Sequence, residues 1–170
     1  MMKKLIPTFK SNNIFNVDFV KLKELGYKTL FIDLDNTLDS PYVYSPDSKV
    51  FSLIERLKDL NFNIYIVSNN KQERVERYVK DLNVNYMYDV KKPFVKRIRK
   101  FIKENNIDLS HAISIGDQVM TDVLLANKLK ISVILLNPLT IKDEPITFIP
   151  RLLDKHFRKK INKLDITKEI

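Results

Sequence analysis

The chain has 170 residues, of which 44% are hydrophobic and 30% charged, a composition typical of one globular domain. It has no cysteine and only two histidines, which excludes disulfides, thiolate zinc sites and cysteine nucleophiles and argues against a multi-histidine metal site. The net charge of +9 indicates an anionic partner: a phosphate ester, a nucleic acid or a lipid surface.

Further classes are excluded by what the chain lacks. No apolar run approaches the roughly 18 residues of a membrane span. The basic first ten residues have neither the apolar stretch nor the cleavage site of a secretory signal, so we expect a cytoplasmic protein. Two glycines, Gly26 and Gly116, are too few for a GxxxxGK phosphate loop or a GxGxxG dinucleotide loop.

Predicted helices and strands alternate along the chain. Apolar residues at helical spacing predict helices over 17–25, 48–60, 72–82, the stretch after Pro93 and 119–128. Short apolar and β-branched runs predict strands over 28–34, 63–67, 84–88, 112–115 and 131–136. This alternation predicts a doubly wound, parallel α/β sheet of five strands. We expect one domain over 1–170, with a core at about 28–136 and basic extensions at both ends.

The first predicted strand ends on two aspartates, Asp33 and Asp35. Ligands bind at the carboxyl ends of the strands in an open α/β sheet. The two-residue period of a strand predicts that both carboxylates project to the same side of the chain. There they repel each other unless a cation lies between them or one holds a proton. On these residues alone, a solvated Asp-rich turn is the alternative.

Three later strands also deliver polar residues at or just beyond their carboxyl ends. In chain order these residues are Ser68 and Asn69, then Lys91 and Lys92 before Pro93, then Gly116 and Asp117, with Asp122 five residues further on. In a doubly wound sheet these ends converge on one crevice. Asp33 and Asp117 can chelate Mg²⁺ there, because hard cations prefer oxygen ligands.

Such a crevice suits phosphoryl transfer. A lysine and a hydroxyl can bind the phosphoryl oxygens. A carboxylate can attack phosphorus and form an acyl phosphate, which splits hydrolysis into two steps. A second carboxylate two residues further on can protonate the leaving oxygen and then activate water.

The four motifs, in this order, resemble those of the haloacid dehalogenase superfamily of phosphohydrolases. The matching segments are Asp33-Leu34-Asp35-Asn36-Thr37 (DxDxT), Ser68-Asn69, Lys92 before Pro93, and Gly116-Asp117 through Asp122 (GDxxxxD). The resemblance covers about residues 28–136. The Asp-Asn-Thr-Leu sequence, the short length and Gly-Asp-Gln-x-x-Thr-Asp at 116–122 further resemble the YqeG-like branch of subclass IIIA, which is related to mitochondrial phosphatidylglycerophosphate phosphatases.

This resemblance implies a role for each motif residue. It makes Asp33 the nucleophile and a metal ligand, and Asp35 the general acid/base that also offers its backbone carbonyl to the metal. It makes Asp117 a further Mg²⁺ ligand, supported by Asp122. The implied phosphate-binding residues are Thr37, Ser68, Asn69 and Lys92. Lys91 is the alternative to Lys92, and adjacency to Pro93 favours Lys92.

The gaps between the motifs leave no room for the cap domain that superfamily members often insert. Residues 37–68 hold one loop and one helix, and residues 69–92 hold one helix and one short strand. An uncapped site is open, so we expect a macromolecule or a lipid head group to fill it, or a partner to cover it. Small metabolites are then expected to be turned over poorly.

Two basic segments do not by themselves show which anionic partner the protein binds. Residues 91–103 contain seven Lys or Arg and no acid, a pattern typical of a solvated helix face. Residues 151–164 predict a basic amphipathic helix that docks on the domain itself or lies on anionic lipid, and RNA phosphates are a third candidate. We expect a magnesium-dependent phosphatase, with phosphatidylglycerophosphate as the leading substrate. The alternatives are a nucleotide or phosphoprotein phosphatase and an RNA- or ribosome-associated binding protein on the same scaffold.

Overall fold

The computed structural model describes residues 5–139, 154, 156–161 and 168–170. Its strands are β1 (Phe9–Ser11), β2 (Thr29–Ile32), β3 (Asn63–Val67), β4 (Asn85–Met87), β5 (Ala112–Gly116), β6 (Ser132–Leu136) and β7 (Lys168–Glu169). Its named helices are α1 (Phe19–Glu24), α2 (Ser48–Asp59), α3 (Gln72–Val79), α4 (Lys96–Glu104) and α5 (Leu124–Leu129). A 3₁₀ turn at Ile14–Asn16 precedes α1, and a π-helical turn at Val119–Val123 leads into α5.

The strands form one parallel sheet in the spatial order β4-β3-β2-β5-β6-β1-β7. The α/β class and the parallel arrangement are confirmed, but the predicted number of five strands is wrong. The additional strands, β1 and β7, lie in the segments interpreted as extensions, and β1 pairs with both β6 and β7. Strands of three and two residues are too short to show a period, so only their pairing with chain distant in sequence reveals them.

Helices cover both faces of the sheet because its strands alternate between two apolar clusters. In β2, Leu30 and Ile32 belong to one cluster, whereas Phe31 belongs to the other. Helices α1, α2 and α3 contribute to the first cluster, through residues that include Phe19, Leu22, Ile54, Leu57, Val75 and Tyr78. Helices α4 and α5 contribute to the second, through Ile98, Leu125, Ala126 and Leu129. A strand buried on both faces reads as a continuous apolar run, as β2 does.

The order of the strands creates a crevice beside β2. From β2 the chain adds β3 and then β4 on one side, and it then crosses over to place β5 and β6 on the other. The first residue after β2 keeps the pairing, since the Asp33 amide donates to the Ile115 carbonyl at 2.9 Å. The carboxyl ends of β2 and β5 therefore flank the point where the strand order reverses, which is where open α/β sheets bind ligands.

No cap domain interrupts residues 5–139. The chain from 33 to 47 is a loop that leads into α2, and the chain from 68 to 92 holds only α3 and β4. Within the described part of the chain, no helix is both long and apolar enough to cross a membrane.

The described part of the predicted C-terminal helix docks on the domain. Residues 156–161 are helical, and Ile161 is buried in the cluster that covers the α4 and α5 face. The rest of the predicted span, residues 151–153, 155 and 162–164, lies outside the described residues. For the part that is described, the alternative of docking on the domain is the one that the structure shows.

Because β1 belongs to the core, truncating its apolar side chain should destabilise the protein. Phe9 is 9% exposed and packs edge-on against Tyr27, with ring centroids 6.4 Å apart. We expect Phe9→Ala to lower the free energy of unfolding by about 3 kcal/mol in urea titrations. Phe15→Ala is the matched control, since Phe15 is 40% exposed, and should cost under about 1 kcal/mol. Equal losses would contradict the assignment of β1 to the core.

Candidate active site

Lys92 lies between two buried carboxylates at the centre of the crevice. Its Nζ is 2.5 Å from Asp33 Oδ1 and 2.7 Å from Asp122 Oδ1. The side chains of Lys92 and Asp122 are almost entirely buried. Lys91 instead points to solvent, where its ammonium pairs with Asp89 and its side chain is 59% exposed. Of the two lysines in the third motif, the structure brings Lys92 to the site.

The second motif holds the backbone of Lys92. Asn69 Oδ1 accepts from the Lys92 amide at 2.6 Å, and Asn69 Nδ2 donates to the Lys92 carbonyl at 3.1 Å. Ser68 is buried at the end of β3, and its Oγ accepts from the Asn70 amide at 3.0 Å. The contacts of Asn69 are thus with the lysine loop, and phosphate binding by Ser68 and Asn69 stays a prediction.

Asp33, Asp117 and Asp122 form an acidic cluster between β2 and β5. One carboxylate oxygen from each lies within 4.8 Å of the others. The Thr37 hydroxyl, which is fully buried, lies 3.4 Å from both Asp33 Oδ2 and Asp117 Oδ1. The first and fourth motifs therefore meet, as the convergence of strand ends predicts.

Gly116 is required at the end of β5 by the packing of Asp122. A Cβ atom added at Gly116 would overlap the carboxyl group of Asp122. Both Asp122 oxygens are already engaged, because Oδ1 accepts from Lys92 and Oδ2 accepts from the Gln118 amide at 3.1 Å. Asp122 is thus committed to contacts with the protein.

The carboxylate of Asp35 pairs with a different basic side chain from the one that pairs with Asp33. Its Oδ1 accepts from Arg74 Nη2 at 2.9 Å, and its Oδ2 accepts from Asn70 Nδ2 at 3.0 Å. Among the described residues, Asp33 and Asp35 therefore pair with different cationic side chains. The strand ends at Ile32, so its two-residue period does not extend to Asp35.

Arg74 and Asn70 are site residues that the sequence motifs did not identify. Arg74 lies on α3 and stacks on the Tyr78 ring, with its guanidinium carbon 5.0 Å from the ring centroid. Asn70 precedes α3, which begins at Gln72, so helical spacing does not link it to Arg74. The cue in the sequence is that Asn70 directly follows the second motif, and it is a weak one.

Burial dominates the electrostatics of the cluster. It raises the pKa of Asp33 to about 7, and the nearby Asp122 and Asp35 add to this increase while Lys92 opposes it. Burial likewise raises the pKa of Asp117 well above its ordinary value, with repulsion from Asp33 and Asp122 acting in the same direction. Burial by itself would lower the pKa of Lys92, but Asp122 and Asp33 outweigh it and raise that pKa, so the lysine stays charged.

The donor set suits a divalent cation. Lys92 pairs with Asp33 and Asp122, and Arg158 near Asp117 is itself paired with Asp154, so the cluster carries excess negative charge when all three of its carboxylates are ionised. Because Asp122 is committed to the protein, Asp33 and Asp117 are the carboxylates best placed to bind an added ion. Such an ion favours the charged forms of these carboxylates, which burial disfavours. An all-oxygen site that keeps some water suits Mg²⁺.

Comparison with known proteins agrees with the fold and the motifs. A family model described as haloacid dehalogenase-like hydrolase matches residues 8–136, more than half of the chain. The chain belongs to this family. The match begins at residue 8, next to β1, which agrees with the correction that β1 is part of the core. The predicted family and the enzyme class of phosphoric monoester hydrolase are confirmed.

Two relatives are similar over most of this chain. The probable phosphatase YqeG of Bacillus subtilis (strain 168) is 31% identical over 159 residues, which cover 91% of this chain and 91% of the relative. Phosphatidylglycerophosphate phosphatase 1, chloroplastic/mitochondrial, of Arabidopsis thaliana is 25% identical over 179 residues and 95% of this chain. The match spans only 51% of the Arabidopsis protein.

A solved structure shares the fold. The crystal structure of an uncharacterized protein from Listeria monocytogenes serotype 4b aligns with a TM-score of 0.55 and 16% sequence identity. The alignment covers 78% of this chain and 99% of that one.

The raised pKa of Asp33 predicts opposite effects of pH on the metal-free and the Mg²⁺-loaded protein. The folded state holds a proton on Asp33 up to about pH 7, whereas the unfolded state releases it near its ordinary value of 3.8. The contribution of Asp33 to stability should therefore fall as pH rises from about 4 to about 7 in EDTA. We expect Mg²⁺ to bind the deprotonated carboxylate, so its stabilising effect should grow over the same range.

Chemical unfolding at pH 5.5 and pH 8, in EDTA and in Mg²⁺, measures both effects. Asp33→Asn is the control, because it cannot titrate and should weaken the dependence on pH. Equal stabilisation by Mg²⁺ at the two pH values would contradict the prediction.

Proposed function

We propose that this chain is a magnesium-dependent phosphatase that hydrolyses phosphate monoesters through an aspartyl phosphate on Asp33. The observation that carries the proposal is the contact of a buried, charged Lys92 with Asp33 at 2.5 Å, beside Asp117 and Thr37 at the reversal point of the sheet. This arrangement supports the proposal because the proposed nucleophile, a fixed positive charge and the two carboxylates proposed to bind the metal lie in one crevice.

The residues that would hold Mg²⁺ are the side chains of Asp33 and Asp117 and the backbone carbonyl of Asp35. When bound, the ion supplies positive charge that offsets the charge developing on the phosphoryl oxygens. Lys92 adds a second positive charge from the protein itself, and its raised pKa keeps it protonated at physiological pH. Thr37, Ser68 and Asn69 are the proposed polar contacts to the phosphoryl group.

In the first step a carboxylate oxygen of Asp33 attacks phosphorus. A bond forms between that oxygen and phosphorus, and the bond between phosphorus and the ester oxygen breaks. Asp35 in its protonated form donates a proton to the departing oxygen, so the alcohol leaves neutral. Arg74 and Asn70 orient the Asp35 carboxyl group for this role through their contacts at 2.9 and 3.0 Å.

In the second step water hydrolyses the aspartyl phosphate. Asp35, now ionised, accepts a proton from the water as its oxygen attacks phosphorus. The bond between phosphorus and Asp33 breaks, which releases inorganic phosphate and restores both carboxyl groups. The two aspartates thus have separate tasks, which agrees with their separate ion pairs.

Asp33→Asn and Asp35→Asn distinguish these two tasks. With p-nitrophenyl phosphate and Mg²⁺, Asp33→Asn should lose phosphoenzyme formation and at least about 1,000-fold in turnover, since it has no nucleophile. The nitrophenolate leaves without a proton, so Asp35→Asn should still form the phosphoenzyme. Its hydrolysis should slow by about 100-fold or more, so that acid quenching traps the intermediate. Circular dichroism checks that both variants are folded.

Turnover that survives in Asp33→Asn would overturn the mechanism. The absence of hydrolysis of any phosphate ester by the wild type would favour the alternative of a binding protein on this scaffold. Activity that is equal with EDTA and with Mg²⁺ would remove the metal from the proposal.

We further propose that the substrate is a phosphate monoester on a lipid head group, with phosphatidylglycerophosphate as the leading candidate. The similarity to the Arabidopsis phosphatidylglycerophosphate phosphatase supports it, as does the open site without a cap in residues 5–139. Exposed aromatic residues also lie in the loops beside the site. Phe94, two residues after Lys92, is 70% exposed, and Tyr42 and Tyr44 lie exposed in the loop after the first motif. Aromatic and basic side chains suit a membrane–water interface.

Vesicles that contain phosphatidylglycerophosphate test this substrate, with Phe94→Ala as the discriminating variant. We expect the wild type to release phosphate from the vesicles faster than from a small sugar phosphate or a nucleotide. Phe94→Ala should lower the rate on vesicles several-fold and leave the rate on p-nitrophenyl phosphate unchanged, because Phe94 is exposed. A preference for nucleotides or phosphopeptides would instead support the alternative substrate classes.

A further inference from the structure

Two side chains near the C-terminus contact the backbone that carries Asp117. Arg158 Nη2 donates to the carbonyl of Asp117, and it also donates to the Leu136 carbonyl at 2.8 Å. Asp154 Oδ1 accepts from the amide of Val119. These contacts involve the peptide groups on the carbonyl side of Asp117 and at the start of the π-helical turn. They therefore fix both ends of the short loop between β5 and that turn.

Arg158 and Asp154 also hold each other. Arg158 Nε is 2.7 Å from Asp154 Oδ2, one helical turn away, and both side chains are largely buried. Ile161 of the same segment packs in the apolar cluster that contains Val119 and Val123. The segment is thus attached to the loop by a charged pair and by apolar packing. Such a buried pair is oriented before any ligand arrives.

We propose that Arg158 and Asp154 are positioning residues that hold the Asp117–Val119 backbone so that the Asp117 carboxylate is placed to bind Mg²⁺. The inference rests on the magnesium site of the proposed function. Residues that orient metal ligands without touching the metal typically affect metal affinity by about 10–100-fold. The C-terminal segment is then part of the metal site, although it lies far in sequence from all four motifs.

The charge of Arg158 and its role in holding the loop predict opposite effects on Mg²⁺ affinity when Arg158 is replaced. The positive charge of Arg158 repels a bound cation, and Asp154 offsets this repulsion. Arg158 also lowers the pKa of Asp117, so the comparison is made at a pH high enough to ionise Asp117 in every variant. There, replacing Arg158 with a neutral residue leaves the Asp154 carboxylate uncompensated, which by electrostatics alone should strengthen Mg²⁺ binding. If Arg158 acts by holding the loop, the same substitution should weaken Mg²⁺ binding.

Arg158→Gln is therefore the informative variant, and metal binding is the measurement. Free Mn²⁺ gives an electron paramagnetic resonance signal, so a titration with Mn²⁺ gives its affinity and competition with Mg²⁺ gives the affinity for Mg²⁺. We expect Arg158→Gln to bind both ions about tenfold more weakly than the wild type. In turnover assays the half-activating Mg²⁺ concentration should rise by a similar factor, with a smaller change in kcat at saturating Mg²⁺.

Lys159→Gln is the matched control, because it makes the same change in charge at the next residue, whose side chain is exposed. It should bind the ions as the wild type does. Mg²⁺ binding by Arg158→Gln that is unchanged or tighter would overturn the inference. Wild-type protein that binds neither ion, or Asp117→Asn that binds them as well as wild type does, would overturn the proposed metal site instead.

A second variant covers the case in which Arg158→Gln does not fold, as judged by circular dichroism. Arg158→Lys keeps the positive charge, but a single ammonium cannot reproduce the planar fork that reaches two carbonyls and Asp154. We expect it to bind Mg²⁺ several-fold more weakly than the wild type. Affinity equal to that of the wild type in a folded Arg158→Lys protein would overturn the inference.

Discussion

The candidate active site of this protein depends on a cluster of three carboxylates, two of which pair with one buried lysine. A buried charge is destabilising unless it is paired. Lys92 Nζ pairs with Asp33 at 2.5 Å and with Asp122 at 2.7 Å. Residues of the neighbouring motifs hold Lys92 and Asp122 in place for these contacts. Asn69 holds the backbone of Lys92 from both sides, and Gly116 leaves the space that Asp122 occupies. The pKa of Asp117 is raised by burial, and within the described residues no ion pair joins its carboxylate to a cation, which supports the proposal that an added divalent ion binds there.

The two aspartates of the first motif are distinguished by their surroundings. Asp33 shares the buried lysine with Asp122, whereas Asp35 contacts Arg74 and Asn70 on the other side. Carboxyl groups of identical chemistry take different roles when their environments differ. In the proposed reaction the first needs to be a free nucleophile and the second needs to transfer a proton. The separate ion pairs give the two carboxyl groups different partners, although the charge of Asp35 still contributes to the raised pKa of Asp33.

The ends of the chain complete the domain. Strand β1 lies between β6 and β7, and the described helical residues at 156–161 pack on the α4 and α5 face. Arg158 and Asp154 bring this C-terminal segment to the backbone of the fourth motif. The part of the chain that matches the family model ends at residue 136, so these contacts come from outside the matched segment.

The sequence by itself determined the class of fold and the four motifs. The apolar runs are long enough to predict β2, β3, β5 and β6, and the alternation with helices predicts that they are parallel. Since parallel strands end at one edge, the sequence also predicted that Asp33, Lys92, Asp117 and Asp122 would meet, and these four residues do so in the structure. The order of the motifs was enough to predict this meeting, because each motif follows a strand.

Tertiary structure alone decided which groups pair within that crevice. Strands β1 and β7 are too short to be visible as patterns, and they form because β1 pairs with the edge of β6 and β7 pairs with the edge of β1. The choice of Arg74 for Asp35, and of Arg158 for the backbone at Asp117, depends on how α3 and the C-terminal segment pack on the sheet. Packing of this kind joins residues that are tens of positions apart, and local patterns in a sequence do not record such contacts. Local sequence patterns therefore determined which residues stand at the strand ends, and tertiary packing determined which side chains and backbone groups they contact.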